Sequence, residues 1–260
     1  MVSATDTGDR RPGAPSVELS IVIPAMNEAE RIGETLQTLQ ARLPAMIPTW
    51  EIRVVDDGST DDTAQIVAAA AAGDPRIVLQ REVHRGKGGA LRAGLLAARG
   101  ELRFMCDADL SMPIAELPRF LAVVPSACDL AIGTREGAGA RRIGEPEHRH
   151  AMGRVFNAFV RLTGLSGRQD TQCGFKLFTA GAVETIVPRL TLEGWAIDIE
   201  MLVIASRLGL RIGEIPIEWH YRERSRVSPL IDSLRMSRDV LKIRVNALRG
   251  RYDRLNEERR

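Results

Sequence analysis

Two aspartates one residue apart, Asp107 and Asp109, directly follow the strand-like run 101–106. Carboxylates this close repel each other and raise each other's pKa, so the pair is costly unless a cation binds it. Mg²⁺ or Mn²⁺ binds carboxylate oxygens and commonly completes its coordination with substrate phosphates. The pattern therefore indicates a metal site, although surface turns also contain Asp-x-Asp and a plain turn is the alternative.

Polar residues also follow two earlier apolar runs. The first run ends at Pro24 and is followed by Asn27 and Glu28, and the second ends in Asp56 and Asp57. Burial of a carboxylate at the end of an apolar strand is energetically unfavourable unless a hydrogen-bond donor pairs with it. A base amide or a ribose hydroxyl would be such a donor. The alternative for the second group is a turn followed by a helix cap, because Asp, Gly and Ser are turn formers.

A glycine-rich segment that contains Lys87, residues 84–89, precedes a helix-like stretch. A cation and a flexible backbone at the start of a helix suit phosphate binding. The segment lacks the glycine and lysine spacing of a Walker loop, so an ordinary Gly-Lys turn is the alternative.

The elements that must position these groups are short apolar runs that alternate with helical stretches. This alternation predicts βαβ units and a mostly parallel sheet. Ligands bind outside the carboxyl ends of the strands in such sheets, so we expect the acids to meet on one rim. The predicted strands are 17–24, 51–56, 76–80, 101–107 and 129–133, and the predicted helices are 28–43, 61–72, 86–98 and 113–124.

The composition limits the class of protein. With 260 residues, 44% of them hydrophobic, the chain suffices for one large α/β domain or two small ones. Three cysteines without metal-ligand spacing argue against a disulfide framework and favour a reducing cytosol. No apolar run approaches the eighteen or so residues of a membrane span. Residues 1–16 are expected to be a disordered leader and not a signal peptide.

Several motifs, taken in order, resemble those of family-2 inverting glycosyltransferases. The motifs are Val-Ile-Pro-Ala-Met-Asn-Glu at 22–28, Val-Asp-Asp-Gly-Ser-Thr-Asp at 55–61, Arg-Gly-Lys-Gly-Gly-Ala at 85–90 and Asp-Ala-Asp at 107–109. Asp-Thr-Gln-Cys-Gly-Phe-Lys-Leu-Phe at 170–178 is similar to the signature of the dolichyl-phosphate glucosyltransferase and mannosyltransferase branch. Segments 195–200 and 214–219 extend the resemblance, which covers roughly residues 17–245.

The resemblance implies a GT-A fold over residues 17–222. This is an α/β domain with a Rossmann-like nucleotide-binding half, whose mostly parallel central sheet is flanked by helices. It also implies a Mg²⁺ or Mn²⁺ site at Asp107 and Asp109, with Asp109 as a catalytic residue. Ser111 departs from the pattern, because mannosyltransferase relatives often carry Gln there. The residues implied to bind the nucleotide sugar are Pro24, Asn27, Glu28, Asp56, Asp57, Lys87 and Asp107.

The chemistry of such a transfer follows from charge. Breaking the bond between sugar and diphosphate leaves negative charge on the nucleotide, which the metal and basic side chains stabilise. An acceptor phosphate is already an anion at pH 7 and attacks without a general base, whereas a hydroxyl acceptor needs one. In-line attack inverts the anomeric centre, so an α-linked donor gives a β-linked product.

Basic residues crowd the segment 134–154, whose glycines predict a mobile loop. They are Arg135, Arg141, Arg142, Arg149 and Arg154, with His148 and His150. Arginine suits bidentate contact with phosphate. The resemblance places an acceptor-phosphate arginine at Arg135, and we expect Arg149 and Arg154 to contact the same phosphate. A solvated basic loop is the alternative, and we favour it for Arg141 and Arg142.

Two acids on a predicted helix over 196–207, Asp198 and Glu200, are two residues apart and do not share a helix face. We expect Asp198 to be catalytic, by holding a sugar hydroxyl or by bracing the acceptor loop. In relatives with hydroxyl acceptors, an acid in this region is the base. Cys173 is interpreted as core packing, and the resemblance brings Gln172 and Lys176 near the sugar or the acceptor.

The C-terminal segment 223–260 is basic and has helical apolar spacing over 227–248. Residues 222–260 contain twelve Lys or Arg and six Asp or Glu. A cationic amphipathic helix fits anionic lipid headgroups, so we expect a membrane surface and no nucleic acid as a partner. The alternative is a helix packed on its own domain. The amino-terminal membrane helix of eukaryotic glucosyltransferase relatives is absent, which favours a peripheral protein on the cytoplasmic face of the membrane, or a soluble acceptor.

Together these observations predict a metal-dependent inverting transfer of glucose from UDP-glucose to a polyprenyl phosphate of the dolichyl type. Transfer of mannose from GDP-mannose is one alternative. Transfer to a soluble or saccharide hydroxyl by a family-2 enzyme is another. A non-enzymatic nucleotide-sugar binder is disfavoured, because such a binder has no need of the metal motif.

Overall fold

The computed structural model describes residues 17–165, 167–221 and 229–253, with only the backbone of 229–233. The predicted leader over 1–16 and the predicted boundary between 222 and 223 lie outside the described residues. Within them, the predicted alternation of strands and helices is confirmed.

Seven strands form the central sheet, in the order β3-β2-β1-β4-β7-β5-β8. They are β1 (Leu19–Ala25), β2 (Trp50–Asp56), β3 (Ile77–Arg81), β4 (Leu102–Met105), β5 (Leu130–Thr134), β7 (Lys176–Thr179) and β8 (Ile212–Pro216). Only β7 runs antiparallel to its neighbours, β4 and β5, and the other described pairs in this sheet are parallel. The prediction of a mostly parallel sheet is therefore correct. Strands β6 (Arg141–Ile143) and β9 (Glu218–His220) form a separate parallel pair.

Eight described helices cover the sheet. They are α1 (Ile32–Arg42), α2 (Thr63–Gly73), α3 (Lys87–Ala97), α4 (Leu117–Leu121), α5 (Glu147–Leu162), α6 (Ala180–Ile186), α7 (Ile197–Arg207) and α8 (Pro229–Leu248). Successive residues of a strand point to opposite faces, so β1 contributes Ile21 and Ile23 to the core beneath α1, α2 and α4. Val22 instead packs in the core that contains α3, α6, α7 and part of α8.

Close packing fixes the start of α3 at the rim of the sheet. A Cβ at Gly94 would lie 2.6 Å from side-chain atoms of both Val22 and Val55. Only glycine allows this approach, which carries α3 across β1 and β2 and brings Lys87 to the carboxyl ends of the strands.

Two predictions made for local structure need correction. The predicted helix 113–124 is confirmed only over 114–121, as a 3₁₀ turn followed by the short α4, and it ends early because Pro125 has no amide hydrogen to donate to the Leu121 carbonyl. The predicted mobile loop over 134–154 contains β6 and the first two turns of α5. Strand β6 pairs with the distant β9, which the glycine-rich local sequence does not indicate.

No helix among the described residues has both the length and the apolar character needed to cross a membrane.

Candidate active site

A cavity of about 650 Å³ opens at the carboxyl ends of the parallel strands. It brings together most of the residues predicted from the sequence. Those on its wall are Pro24, Asn27, Glu28, Asp57, Lys87, Asp107, Asp109, Arg135 and Arg149. The predicted residues Asp56, Arg154 and Asp198 are not among the described residues that line it.

The first aspartate of the pair, Asp107, binds Lys87 directly. The Lys87 Nζ donates to Asp107 Oδ1 at 2.8 Å and lies 5.4 Å from the ring centre of Trp195. Burial alone would raise the pKa of Asp107, but the charge of Lys87 and its hydrogen bond outweigh burial and lower it. The pKa of Lys87 is raised, because Asp107 and Asp198 outweigh its own burial. The two side chains are therefore a charged pair.

The second aspartate, Asp109, is turned towards the cavity by an unusual backbone. Leu110 has a φ of 46°, in the left-handed region, and its amide donates to the Asp107 carbonyl at 3.3 Å. The Ser111 amide then donates to Asp109 Oδ1 at 2.9 Å, and Arg31 Nη1 lies 3.8 Å from Oδ2. Ser111 thus orients Asp109 through its backbone, and Ser111 is itself one of the residues that line the cavity.

The acid pair fits a divalent metal that shares its coordination with a substrate. In the described part of the chain, no cluster of three or more His, Cys, Asp or Glu side chains could hold a metal alone. Mg²⁺ is commonly bound by one or two carboxylates plus phosphates. Gly174 keeps space beside Asp107, because a Cβ there would lie 2.1 Å from Asp107 Oδ2.

The acids at the end of β2 shape the loops around the cavity. The Asp57 carboxylate accepts hydrogen bonds from the amides of Arg85 and Gly86, both at 2.8 Å, and His84 Nδ1 lies 2.9 Å from its Oδ2. Asp57 therefore holds the turn that precedes Lys87. His84, which sequence reasoning missed, lines the cavity beside it.

Asn27 joins the loop after β1 to the loop after β2. Its φ is 54°, and its Oδ1 accepts from the amides of Thr60 and Asp61 at 2.7 and 3.3 Å. Asp56 Oδ1 accepts a hydrogen bond from the Ser59 amide, three residues further on, at 3.2 Å, which agrees with the turn alternative. Its second oxygen, Oδ2, is buried with no hydrogen-bond partner among the described residues, and the nearest cation is Arg81 at 3.8 Å.

A second group of charges, centred on Arg135, lies on the same cavity. Arg135 donates from Nε and Nη2 to the two oxygens of Asp170, at 2.7 and 2.9 Å. Asp170 is fully buried; burial raises its pKa, but Arg135 outweighs burial and lowers it to about 2. The pKa of Arg135 is correspondingly raised by Asp170 against its own burial.

Two aromatic residues at the end of β9 support the cavity arginines. Arg135 lies 5.4 Å from the ring centre of Trp219, and Arg149 lies 5.0 Å from that of Tyr221. Guanidinium groups are attracted to aromatic faces at such distances. Arg154, one and a half turns further along α5, is exposed and outside the cavity wall. Its contact with an acceptor phosphate stays a prediction that its position does not favour.

Asp198 lies beneath the cavity and not on its wall. It is 2% exposed and forms an ion pair with the fully buried Lys176, whose Nζ also donates to the Cys173 carbonyl. Direct contact of Lys176 with a sugar is therefore not supported, whereas Gln172 lines the cavity. Cys173 packs in the core as predicted, and burial raises the pKa of its thiol to about 11.

Aromatic wall residues are the main group that sequence reasoning missed. Trp195 and Trp219 begin and end the two motif segments 195–200 and 214–219, and Tyr221 follows closely. Because segments 195–200 and 214–219 resemble the family motifs, the position of the two tryptophans in these segments was the sequence signal that could have identified them. Aromatic residues at these positions resemble core residues until the topology places them at the rim.

Comparisons with known proteins agree with this architecture. Residues 20–186 match the family described as Glycosyl transferase family 2. The dolichyl-phosphate beta-glucosyltransferase of Saccharomyces cerevisiae is 33% identical, and the match covers 90% of this chain and 76% of that protein. The Homo sapiens dolichyl-phosphate beta-glucosyltransferase is 34% identical, over 95% of this chain and 81% of that protein.

Solved structures share the fold. Mannosyl-3-phosphoglycerate synthase from Rubrobacter xylanophilus superposes with a TM-score of 0.65 at 22% identity, covering 93% of this chain and 77% of that one. Glucosyl-3-phosphoglycerate synthase from Mycobacterium tuberculosis, in complex with Mn²⁺, UDP and glucosyl-3-phosphoglycerate, gives a TM-score of 0.60 at 21% identity, covering 95% and 87%. The chain therefore has the GT-A fold and is a glycosyltransferase of glycosyl transferase family 2, similar over most of its length to the dolichyl-phosphate β-glucosyltransferases.

Proposed function

We propose that this glycosyltransferase moves glucose from UDP-glucose to the phosphate of a polyprenyl lipid of the dolichyl type and inverts the anomeric centre. The observation that carries the proposal is the composition of one cavity, which combines an acid pair with two aromatic-supported arginines, Arg135 and Arg149. A transfer between two phosphates brings two anions together, and a metal on the acid pair and the two arginines would each supply compensating positive charge. The names of the similar glucosyltransferases support the choice of sugar and acceptor.

The donor half of the proposed site lies at the ends of β1, β2 and β4. Asp107 and Asp109 would hold Mg²⁺ or Mn²⁺, which supplies positive charge to the leaving diphosphate when it is bound. Lys87 adds a second positive charge beside Asp107. The complexes of the mycobacterial synthase with Mn²⁺ and UDP support a metal-dependent uridine nucleotide donor.

The nucleotide would bind between the loops that follow β1 and β2. Pro24, Asn27 and Glu28 supply wall atoms, while Asp57 shapes the wall by holding the 84–86 turn. Asp56 lies behind this wall, and its Oδ2, which accepts no hydrogen bond among the described residues, is suited to accept one from a base or ribose that reaches past the wall.

The acceptor half is assigned to Arg135 and Arg149. Asp170 uses the Nε and one Nη2 hydrogen of Arg135, so the Nη1 donors remain for a phosphate. An anionic phosphate held there attacks the sugar carbon without a general base. We therefore assign Asp198 a positioning role through Lys176, and no contact with the reacting atoms.

A lipid acceptor requires the enzyme to visit a membrane surface, and we propose that α5 and α8 provide the contact. Exposed apolar side chains lie on both helices, and a Cβ at Gly164 would lie 3.6 Å from Arg244 of α8, so the helix ends adjoin. Basic residues among apolar ones suit anionic headgroups. The exposed apolar residues are Met152, Val155 and Leu162 on α5 and Leu234, Leu241, Val245 and Leu248 on α8.

The test is a transfer assay with purified protein, Mn²⁺, dolichyl phosphate in detergent and radiolabelled UDP-glucose or GDP-mannose. We expect a β-linked glucosyl lipid that forms from UDP-glucose and disappears with EDTA. If a glycolipid formed only from GDP-mannose, the donor would be GDP-mannose and not UDP-glucose. Glucosylation of soluble 3-phosphoglycerate in place of the lipid would overturn the acceptor assignment.

A further inference from the structure

Glu200 is a fully buried carboxylate that the proposed reaction does not use. It has no cationic partner among the described residues, and its oxygens accept hydrogen bonds from the main chain and from hydroxyl groups. The Thr191 amide lies 3.0 Å away, the Leu192 amide 3.0 Å and the Thr191 hydroxyl 2.6 Å. A buried carboxylate without these donors would be strongly unfavourable, so Glu200 and the 190–192 segment fix each other.

The fourth donor to Glu200 comes from the far end of the chain. Tyr252, which is fully buried, donates its hydroxyl to Glu200 Oε1 at 2.8 Å. Gly250, with a φ of 65°, turns the chain after α8 so that Tyr252 reaches this position. Asn246, in the last turns of α8, donates to the Thr191 hydroxyl at 3.1 Å. The end of α8 and the 190–192 segment therefore share one buried polar network.

Glu193, which directly follows the 190–192 segment, holds the first turn of α3. The Glu193 carbonyl accepts from the Gly88 amide at 2.7 Å and from the Gly89 amide at 3.3 Å. A Cβ at Gly88 would lie 2.7 Å from the Glu193 carbonyl carbon, so the two backbones are in direct contact. The next two residues, Gly194 and Trp195, are on the cavity wall.

We infer that Tyr252 and Glu200 are positioning residues for the donor half of the site. They seat the 190–195 segment, and this segment fixes the α3 amides beside Lys87 and the Trp195 ring that lies 5.4 Å from Lys87. The inference rests on the proposed donor site. If the inference holds, the end of α8 affects the affinity for the nucleotide, in addition to any contact that α8 makes with lipid.

The acceptor arginines are supported by other groups. Arg135 is held by Asp170, and Arg149 lies against Tyr221. Loss of the Tyr252 hydroxyl is therefore expected to weaken binding of the nucleotide and to leave the affinity for the acceptor phosphate unchanged. General destabilisation of the protein does not predict such a split.

The test compares Tyr252→Phe with the wild type in three measurements. Titration calorimetry with UDP and Mn²⁺ is expected to show about a fivefold higher Kd, the lower end of coupling between linked sites. Hydrogen–deuterium exchange in the absence of nucleotide is expected to be faster at the Gly88 and Gly89 amides. In the transfer assay, the KM for the sugar nucleotide should rise while the KM for dolichyl phosphate stays the same.

Two variants serve as controls, and a third removes a different hydroxyl group of the same network. Val240→Ala removes buried packing from α8 and leaves every described hydrogen bond to Glu200 in place, and Asp253→Ala breaks the exposed Arg207 pair beside Tyr252. Neither should change exchange at Gly88. Thr191→Val keeps the shape of Thr191 and removes its hydroxyl, so it should reproduce the effect of Tyr252→Phe.

Unchanged UDP affinity and unchanged exchange in Tyr252→Phe would overturn the inference. Equal effects in Val240→Ala would also overturn it, because the cause would then be lost packing. If the wild type binds no nucleotide with Mn²⁺, the proposed function fails, while the exchange measurement still decides whether Tyr252 seats the start of α3.

Discussion

Asp170 binds Arg135 through two parallel hydrogen bonds, Nε to Oδ2 at 2.7 Å and Nη2 to Oδ1 at 2.9 Å. A third bond, from the Arg135 amide to Oδ2 at 3.0 Å, fixes the backbone as well. Asp170 has no exposed surface, whereas Arg135 is partly exposed to the cavity. The guanidinium is therefore held in one orientation by a buried carboxylate, and its exposed part lies on the cavity wall.

Replacing Asp170 with Asn should destabilise the protein and impair use of the acceptor. Removing one partner of a buried pair leaves an uncompensated charge, so we expect a loss of about 3 kcal/mol in the free energy of unfolding. The KM for dolichyl phosphate should rise, while the Kd for UDP stays unchanged. Urea unfolding measures the change in stability, and initial transfer rates measure the KM for dolichyl phosphate. Asp129→Asn is the matched control, because the Asp129–Arg211 pair is bidentate but exposed and should change stability much less than Asp170→Asn.

The Asp170 pair should also make stability depend on pH in the acid range. Its folded pKa of about 2 is below its ordinary value of 3.8, so the folded state favours the ionised form. The resulting stabilisation is complete above the unfolded pKa and is lost as the pH falls from about 4 towards 2. Unfolding free energies of the wild type and Asp170→Asn, measured across this range, should converge at low pH. A constant difference would contradict the prediction.

Gly174→Ala should damage the metal site without unfolding the protein. The new Cβ would lie 2.1 Å from Asp107 Oδ2, so the carboxylate or the backbone must shift. We expect Mn²⁺-dependent UDP binding to weaken by at least about tenfold, since a shift of roughly 1 Å at a site is costly. Gly181→Ala in α6, where a Cβ meets no atom within 4 Å, is the control and should stabilise the helix by about 0.5–1 kcal/mol. Equal UDP affinity in both variants would argue against the role of Gly174.

Asp109→Asn should separate an enzyme from a nucleotide-sugar binder. Loss of one group that stabilises developing charge typically reduces turnover by about 10²–10³-fold, and we expect at least this loss in kcat. Mn²⁺ titration followed by electron paramagnetic resonance should show weaker metal binding. The same substitution at the exposed Asp62 should change neither quantity. Retained turnover in Asp109→Asn would remove Asp109 from the proposed metal site.

Val155→Asp should weaken binding to anionic vesicles. Val155 is 71% exposed on α5, and a carboxylate there would be repelled by phosphatidylserine headgroups. Flotation with phosphatidylserine vesicles should show reduced recovery, and high salt should reduce recovery of the wild type as well. Val83, 80% exposed after β3, is the control, because Val83→Asp lies outside α5 and α8. Loss of flotation in both variants alike would contradict a surface formed by these helices.

The acidic rim could be predicted from the sequence because parallel strands place their carboxyl ends at one edge. Asp57, Asp107 and Asp109 meet there for this reason alone. Local patterns do not reveal which groups then pair. Lys87 and Asp107 are 20 residues apart, and Arg135 and Asp170 are 35 apart.

The functions of individual acids could not be read from their spacing for the same reason. Asp198 and Glu200 both lie in the first turn of α7 and are both buried, yet one pairs with Lys176 and the other with main-chain amides and Tyr252. The partners come from β7, the 190–192 segment and the end of the chain. Only the packing of these elements decides which acid meets a cation.

The reversed direction of β7 brings residues from a later part of the chain to the ends of the parallel strands. Asp107 and Asp109 follow β4, whereas Asp170 and Gly174 arrive in the segment that leads into β7 from the opposite direction. This one segment contacts both proposed halves of the site, because Asp170 holds Arg135 and Gly174 leaves space beside Asp107. A change in the length or conformation of this segment would therefore move the proposed acceptor arginine and the proposed metal acid together. The topology thus predicts that the two halves of the site evolve jointly and not one at a time.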